Sequence, residues 1–127
     1  QFLDTVIQLQ KIRFNRTIAI NLIPYIFSSS QYDPLVYFTE NCNRMPNLWT
    51  KLFFVAQTIE SLDKIRDTTR IAPLVEKILE LSSYFRSRKY IFEYYRMWIE
   101  IIKKSSIYRN LPENLRQKIN LFSEKAG

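Results

Sequence analysis

The sequence predicts an all-α protein, a bundle of about seven short helices. Three observations predict it. Apolar residues recur at helical spacing, and the strict alternation of a half-buried strand is nearly absent. Glycine occurs once in 127 residues, as Gly127, so tight type I′ hairpins have no residue to turn on. Proline, asparagine and serine fall between the periodic stretches, where helices start and stop. No linker is long enough to divide the chain, so residues 1–127 read as one domain, with no internal repeat. Hydrophobic residues make up 46% of it, enough to build a core without disulfide or metal staples.

In order along the chain, Phe2, Val6, Leu9 and Phe14 follow a first helical stripe, and residues 15–17 form a break. Ile18, Leu22, Tyr25 and Ile26 continue on a second stripe. Pro24 within it starts or kinks a helix. The serines at 28–30 end that segment. Asp33-Pro34 joins a capping side chain to a residue with preset φ, and predicts a helix running to about Asn41. Residues 41–47 are polar, contain Pro46 and read as a loop that includes Cys42. Leu48, Leu52, Phe53, Ala56 and Ile59 mark the next helix. Ser61 is placed to cap a short one with Leu62 and Ile65, and Thr68 or Thr69 to cap one with Ile71, Leu74, Val75, Ile78 and Leu81. Residues 82–87 read as a turn around two exposed aromatics, Tyr84 and Phe85. The strongest helix spans residues 88–104, with Ile91, Phe92, Tyr95, Trp98, Ile99 and Ile102 on its apolar side. Asn110, Pro112 and Glu113 open a final helix carrying Leu115, Ile119 and Phe122.

Composition excludes several functions. There is no histidine and one cysteine, so the chain has no intramolecular disulfide, no Cys/His zinc site and no Ser-His-Asp or Cys-His catalysis of its own. The carboxylate pairs Glu76/Glu80 and Asp63/Asp67 sit at i, i+4 beside basic residues and read as solvated helix faces. Cys42 reads as a bystander thiol of a reducing compartment. Without glycine, phosphate-cradling loops cannot form, and no cofactor is expected. The triplet Asn15-Arg16-Thr17 has the form of a glycosylation sequon, but nothing else points to export. No apolar run approaches the ~20 residues that span a bilayer. The first residue is not methionine, which reads as a piece of a longer chain.

Lys plus Arg number 19 against 12 Asp plus Glu, a net charge of +7 that favours acidic partners. The basic residues cluster as Lys11/Arg13/Arg16, Arg86/Arg88/Lys89 and Lys103/Lys104/Arg109. One function they fit is nucleic-acid binding through the surface at residues 103–109. A second is capture of an acidic peptide, because Tyr84-Phe85-Arg86-Ser87-Arg88 interleaves aromatics with charge. Charge then supplies encounter and register, and a buried anchor supplies most of the affinity. A third is a piece of a larger helical scaffold with structural contacts only.

The stretch from residue 46 to 122 resembles the domain shared by the N-terminus of elongation factor TFIIS, Elongin A, LEDGF and the IWS/SPN elongation factors. Thr69-Arg70-Ile71-Ala72-Pro73-Leu74-Val75 stands where that family has S/T-x-I-G-x-x-V. Trp98 stands where its last core helix carries a tryptophan, 98 − 71 = 27 residues on, a spacing similar to the IWS/SPN members. Ser87-Arg88-Lys89, Tyr95-Arg96-Met97-Trp98, Asn43-Arg44-Met45-Pro46 and Ser106-Ile107-Tyr108-Arg109 resemble further local segments in the same order. Ala72 replaces the usual glycine, and Pro73 follows it.

The resemblance implies a right-handed bundle with a TFIIS N-terminal-like core at 46–105, an N-terminal helical extension at 1–45 and a C-terminal helix at 110–126. It implies a non-enzymatic, nuclear, monomeric interaction module of transcription elongation. Its partner would be the acidic N-terminal segment of the histone chaperone Spt-six on elongating RNA polymerase II. By the same resemblance the loops at residues 43–49 and 84–89 lie together. Met45, Trp49 and Phe85 would line an apolar pocket there, with Asn47 and Tyr84 beside it. Arg44, Arg86, Arg88 and Lys89 would pair with partner carboxylates. Trp98, on a continuous apolar stripe, belongs to the core.

Overall fold

Side chains that satisfy free backbone groups set the helix boundaries. In the computed structural model, which describes residues 2–124 and the side chains of residues 2–122, α1 spans Phe2–Ile12. Asn15 then turns the chain, its Oδ1 accepting from the Ile18 N–H at 3.0 Å, and opens α2, Arg16–Asn21. Pro24 has no N–H to give the preceding turn, so the helix restarts as α3, Ile23–Ser28. Asp33 accepts from the Leu35 N–H at 2.9 Å and Pro34 takes the first position of α4, Pro34–Cys42. Asn47 and Thr50 form a reciprocal capping box on α5, Leu48–Glu60.

Two 3₁₀ turns follow, Leu62–Lys64 and Thr68–Arg70. Ser61 makes no side-chain cap; its hydroxyl accepts from Gln57 Nε2 instead. Asp67, rather than Thr68 or Thr69, caps the second turn, taking hydrogen bonds from both the Thr69 hydroxyl and its N–H. Those two bonds, with Arg70 nearby, hold the Asp67 carboxyl below the usual carboxylate range. Then come α6, Ile71–Glu80, and α7, Ser82–Phe85, a single helical turn where a non-helical turn was expected. The longest helix, α8, is Lys89–Lys104. A last 3₁₀ turn at Tyr108–Asn110 precedes α9, Glu113–Glu124. The end of the expected final helix, at 125–126, lies outside the described residues, as do Gln1 and Gly127. No described residue takes a positive φ, so this backbone asks for no glycine.

The result is an all-α bundle. α5 runs through its middle, touching α2, α3, α4 and α8, while α9 closes over α6 and α8. One buried apolar cluster runs from Ala19 to Ile119. On α8 the inward face is Ile91, Tyr95, Ile99 and Ile102, with Phe92 and Trp98 partly buried at its edges. The Tyr95 hydroxyl, buried with its ring, donates to the Ile78 carbonyl at 2.6 Å, and burial drives its pKa far up. No described helix is long and apolar enough to cross a membrane.

Three expected apolar stripes are corrected. On α1, Phe2 and Leu9 face solvent, and Leu3, Ile7 and Gln10 pack inward. On α2 and α3, Ile18 and Tyr25 are exposed and Ala19, Ile23 and Ile26 are buried, because the restart at Ile23 breaks the helical phase. On α5, Phe54 and Val55 are fully buried while Phe53 is exposed. Cys42 is not a loop residue. It ends α4 in the core, and burial raises its thiol pKa to about 11, against a smaller opposing pull from Lys51.

Candidate functional site

Lys51, in the first turns of α5, ties together the two segments expected to lie side by side. Its Nζ donates to the Cys42 carbonyl at 2.9 Å, at the entry to the α4–α5 loop. The same ammonium sits 5.7 Å from the centre of the Tyr84 ring on α7. The α4–α5 loop and α7 therefore share one end of the bundle.

Beside them the outer surface is aromatic. Trp49 is 43% exposed; its ring lies 6.3 Å from that of Phe53, one turn along α5, and 5.8 Å from Tyr94 on α8. Tyr84 is 58% exposed. From Tyr94 an exposed stripe extends along α8 through Tyr90, Met97 and Ile101. Arg88 and Lys89 open α8 without a side-chain cap and with no acid in its first turn. Bases at a helix N-terminus work against the helix dipole, so this end presents concentrated positive potential to solvent. Trp49, Tyr84, Arg88 and Lys89 are thus surface residues on elements that meet.

The other expected site residues do other work. Phe85 is 0% exposed and stacks on Tyr95 with centroids 4.8 Å apart. A helix advances about 100° per residue, so the single turn of α7 points Tyr84 out and Phe85 into the core. Met45 is also buried in the core cluster. Asn47 is the α5 cap. Arg44 places its guanidinium 4.4 Å above the Phe14 ring and donates from Nη1 to the Gln10 carbonyl at 3.1 Å, strapping α1 to the α4–α5 loop. Arg86 lies 4.9 Å over the Phe92 ring and lines a cavity of about 240 Å³ with Glu76, Leu79, Lys118 and Phe122. An apolar pocket built by Met45, Trp49 and Phe85 is therefore not present; an aromatic surface stands in that part of the fold.

The sequence reading missed Lys51, Phe53, Tyr90, Tyr94 and Met97. A signal was available, since Tyr90, Tyr94, Met97 and Ile101 are spaced i, i+4, i+7, i+11, a second helical stripe beside the inward one. A separate cavity of about 420 Å³ opens beside the start of α6, lined by Ile65, Ile71, Ala72, Ile107 and Leu111. Among the described residues no three His, Cys, Asp or Glu side chains group to hold a metal ion. Among family models, curated proteins and solved structures, nothing matches this chain.

Proposed function

We propose that the chain is a protein-interaction module that binds an acidic linear segment bearing aromatic or aliphatic anchors. The observation that carries this reading is the exposed Trp49–Phe53–Tyr94 ring cluster, with Tyr84 at the same end and Lys51, Arg88 and Lys89 supplying charge. Large rings held on helices give contact area at low entropic cost. Clustered bases steer an acidic segment in and fix its register.

The resemblance to the IWS/SPN factors supplies the finer form of the proposal. The module belongs to a nuclear transcription elongation factor, acts as a monomer and binds the acidic N-terminal segment of Spt-six on elongating RNA polymerase II. Within it, residues 46–105 form the TFIIS N-terminal-like core, and residues 1–45 the extension. The segment is disordered when free and orders on docking, which costs part of its gross interaction energy.

A fluorescent peptide from the acidic N-terminal region of the cognate Spt-six tests this. Binding at micromolar Kd or tighter is expected, with moderate salt dependence. Trp49→Ala combined with Lys89→Glu should weaken it at least about tenfold while the circular dichroism spectrum stays helical. Absence of peptide binding, with steeply salt-dependent binding to a DNA duplex, would replace this function with nucleic-acid binding through the basic surface at 103–109.

A further inference from the structure

The outer face of α8 carries an exposed apolar stripe with charged residues along its edge. Tyr90 (79% exposed), Tyr94, Met97 (57%) and Ile101 form one stripe. At 1.5 Å per residue it is about 17 Å long, three turns of helix. Trp49 and Phe53 of α5 widen it at Tyr94. Tyrosine, methionine and tryptophan side by side make a broad, adaptable seat for aliphatic or aromatic knobs.

Charge decides between occupants. By helical rotation Lys89, Glu93, Glu100 and Lys104 share one edge of the stripe. Were a second copy laid antiparallel on it, Lys89 would face Lys104 and Glu93 would face Glu100, like against like at every pair. That antiparallel self-pairing is therefore disfavoured. Within the chain, Arg96 already holds Glu93 at 3.0 Å, while Arg88 and Lys89 keep one end of the stripe basic and Lys104 the other. A complementary occupant is apolar along its middle and acidic at both ends.

We propose that the outer face of α8, with Trp49 and Phe53, docks an amphipathic helical segment of a partner protein, about three turns long and acidic at both ends. The proposal rests on the interaction-module reading and specifies the partner's form. A helix satisfies its own backbone hydrogen bonds. It can therefore lie on a face that offers few backbone partners, whereas an extended segment would rely on water for its backbone groups.

The test uses a designed peptide of about sixteen residues, with Leu or Phe at i, i+4, i+7 and i+11, Glu pairs at both ends and Ala and Gln elsewhere. Binding is followed by NMR at the Trp49 indole N–H and the Met97 methyl. Both signals are expected to shift. Met97→Glu should weaken binding about tenfold or more, and Lys in place of the terminal Glu pairs should do the same. Phe2→Glu, on the exposed stripe of α1, should leave it unchanged. A shift at Trp49 with none at Met97 would overturn the helical track and leave the interaction module standing. No shift at either signal would overturn the helical docking, while the interaction-module reading is decided separately by the acidic-segment titration. Concentration-dependent shifts without peptide would assign the face to a second copy. Stronger shifts with oligo-dT would assign it to single-stranded nucleic acid by base stacking. Either result would overturn the proposal.

Discussion

Helices α1 and α8 each carry two apolar stripes, and the contrast between them shows what separates a candidate site from merely exposed surface. On α8 the inward stripe is almost completely buried; on α1 the inward Leu3 and Ile7 are only partly so. The outward stripe of α8 adjoins the rings of α5 and a basic helix start, whereas the outward residues of α1, Phe2, Leu9 and Ile12, stand on a peripheral helix. What holds α1 is mostly polar. The Tyr32 hydroxyl donates to the Asp4 carboxylate, the Gln10 side chain bonds both the N–H and the carbonyl of Asn15, and Arg44 reaches the Gln10 carbonyl. A recognition surface needs rigid support and neighbours of distinct chemistry as well as exposure. α8 has both.

The largest effect expected in breaking this comparison lies under the start of α8. Phe85→Ala removes a fully buried ring from its stack on Tyr95 and should cost about 3–5 kcal/mol. Tyr90→Ala, five residues on but outward, should change stability by no more than about 0.5 kcal/mol. Urea denaturation of the two variants measures both. Comparable losses would mean that the outward face of α8 is part of the packing and not available to a partner.

That pair also shows where sequence reading works and where it stops. Asp33-Pro34 predicts the start of α4 because both residues act on the adjacent backbone, and the inward face of α8 follows from four well-spaced residues. Tyr84 and Phe85, or Phe53 and Phe54, are adjacent aromatics whose roles depend on the rotational phase of their helix. A one-turn helix, or a 13-residue helix buried over a wide arc, leaves that phase open. At the candidate site, Tyr84 was legible as an exposed aromatic and Arg88 and Lys89 as clustered bases, whereas Trp49, expected to line a pocket, lies on the open surface. Arg44 was not legible, because its partner is a Gln10 carbonyl 34 residues away; Asn47 carries a local capping signal like that of Asp33, and its side chain serves the start of α5. The outward stripe of α8 went unnoticed because it lies beside a longer apolar stripe that accounts for the helix by itself.

An intermediate effect is expected at the strap. Arg44→Ala removes both the hydrogen bond to Gln10 and the stacking on Phe14. Amide exchange in α1 should accelerate at least about tenfold, while α8 keeps its protection, since local opening draws on the least buried elements first. Equal acceleration in both helices would show that α1 is cooperative with the core, and would blunt the contrast between the two exposed stripes.

The smallest effect concerns Cys42, at the junction between the N-terminal helices and α5. Burial lifts its thiol pKa from 9.0 to about 11. A group whose folded pKa is raised contributes stability that is fully present below the unfolded value. That contribution is lost as pH rises through the folded value, so the window runs from about pH 9 to about pH 11. Subtracting the pH–stability curve of Cys42→Ala isolates this loss from the contributions of all other groups. At pH 8 the native thiol should alkylate far more slowly than a free cysteine, because both its access and its thiolate fraction are reduced. Mild denaturant then makes the thiol a probe of the junction. Alkylation that accelerates before the fluorescence of Trp49 and Trp98 changes would mean that α4 opens while the α5–α8 face stays formed. The outer face of α8 would then persist without α4, and simultaneous change would make α4 and the α5–α8 face one cooperative unit.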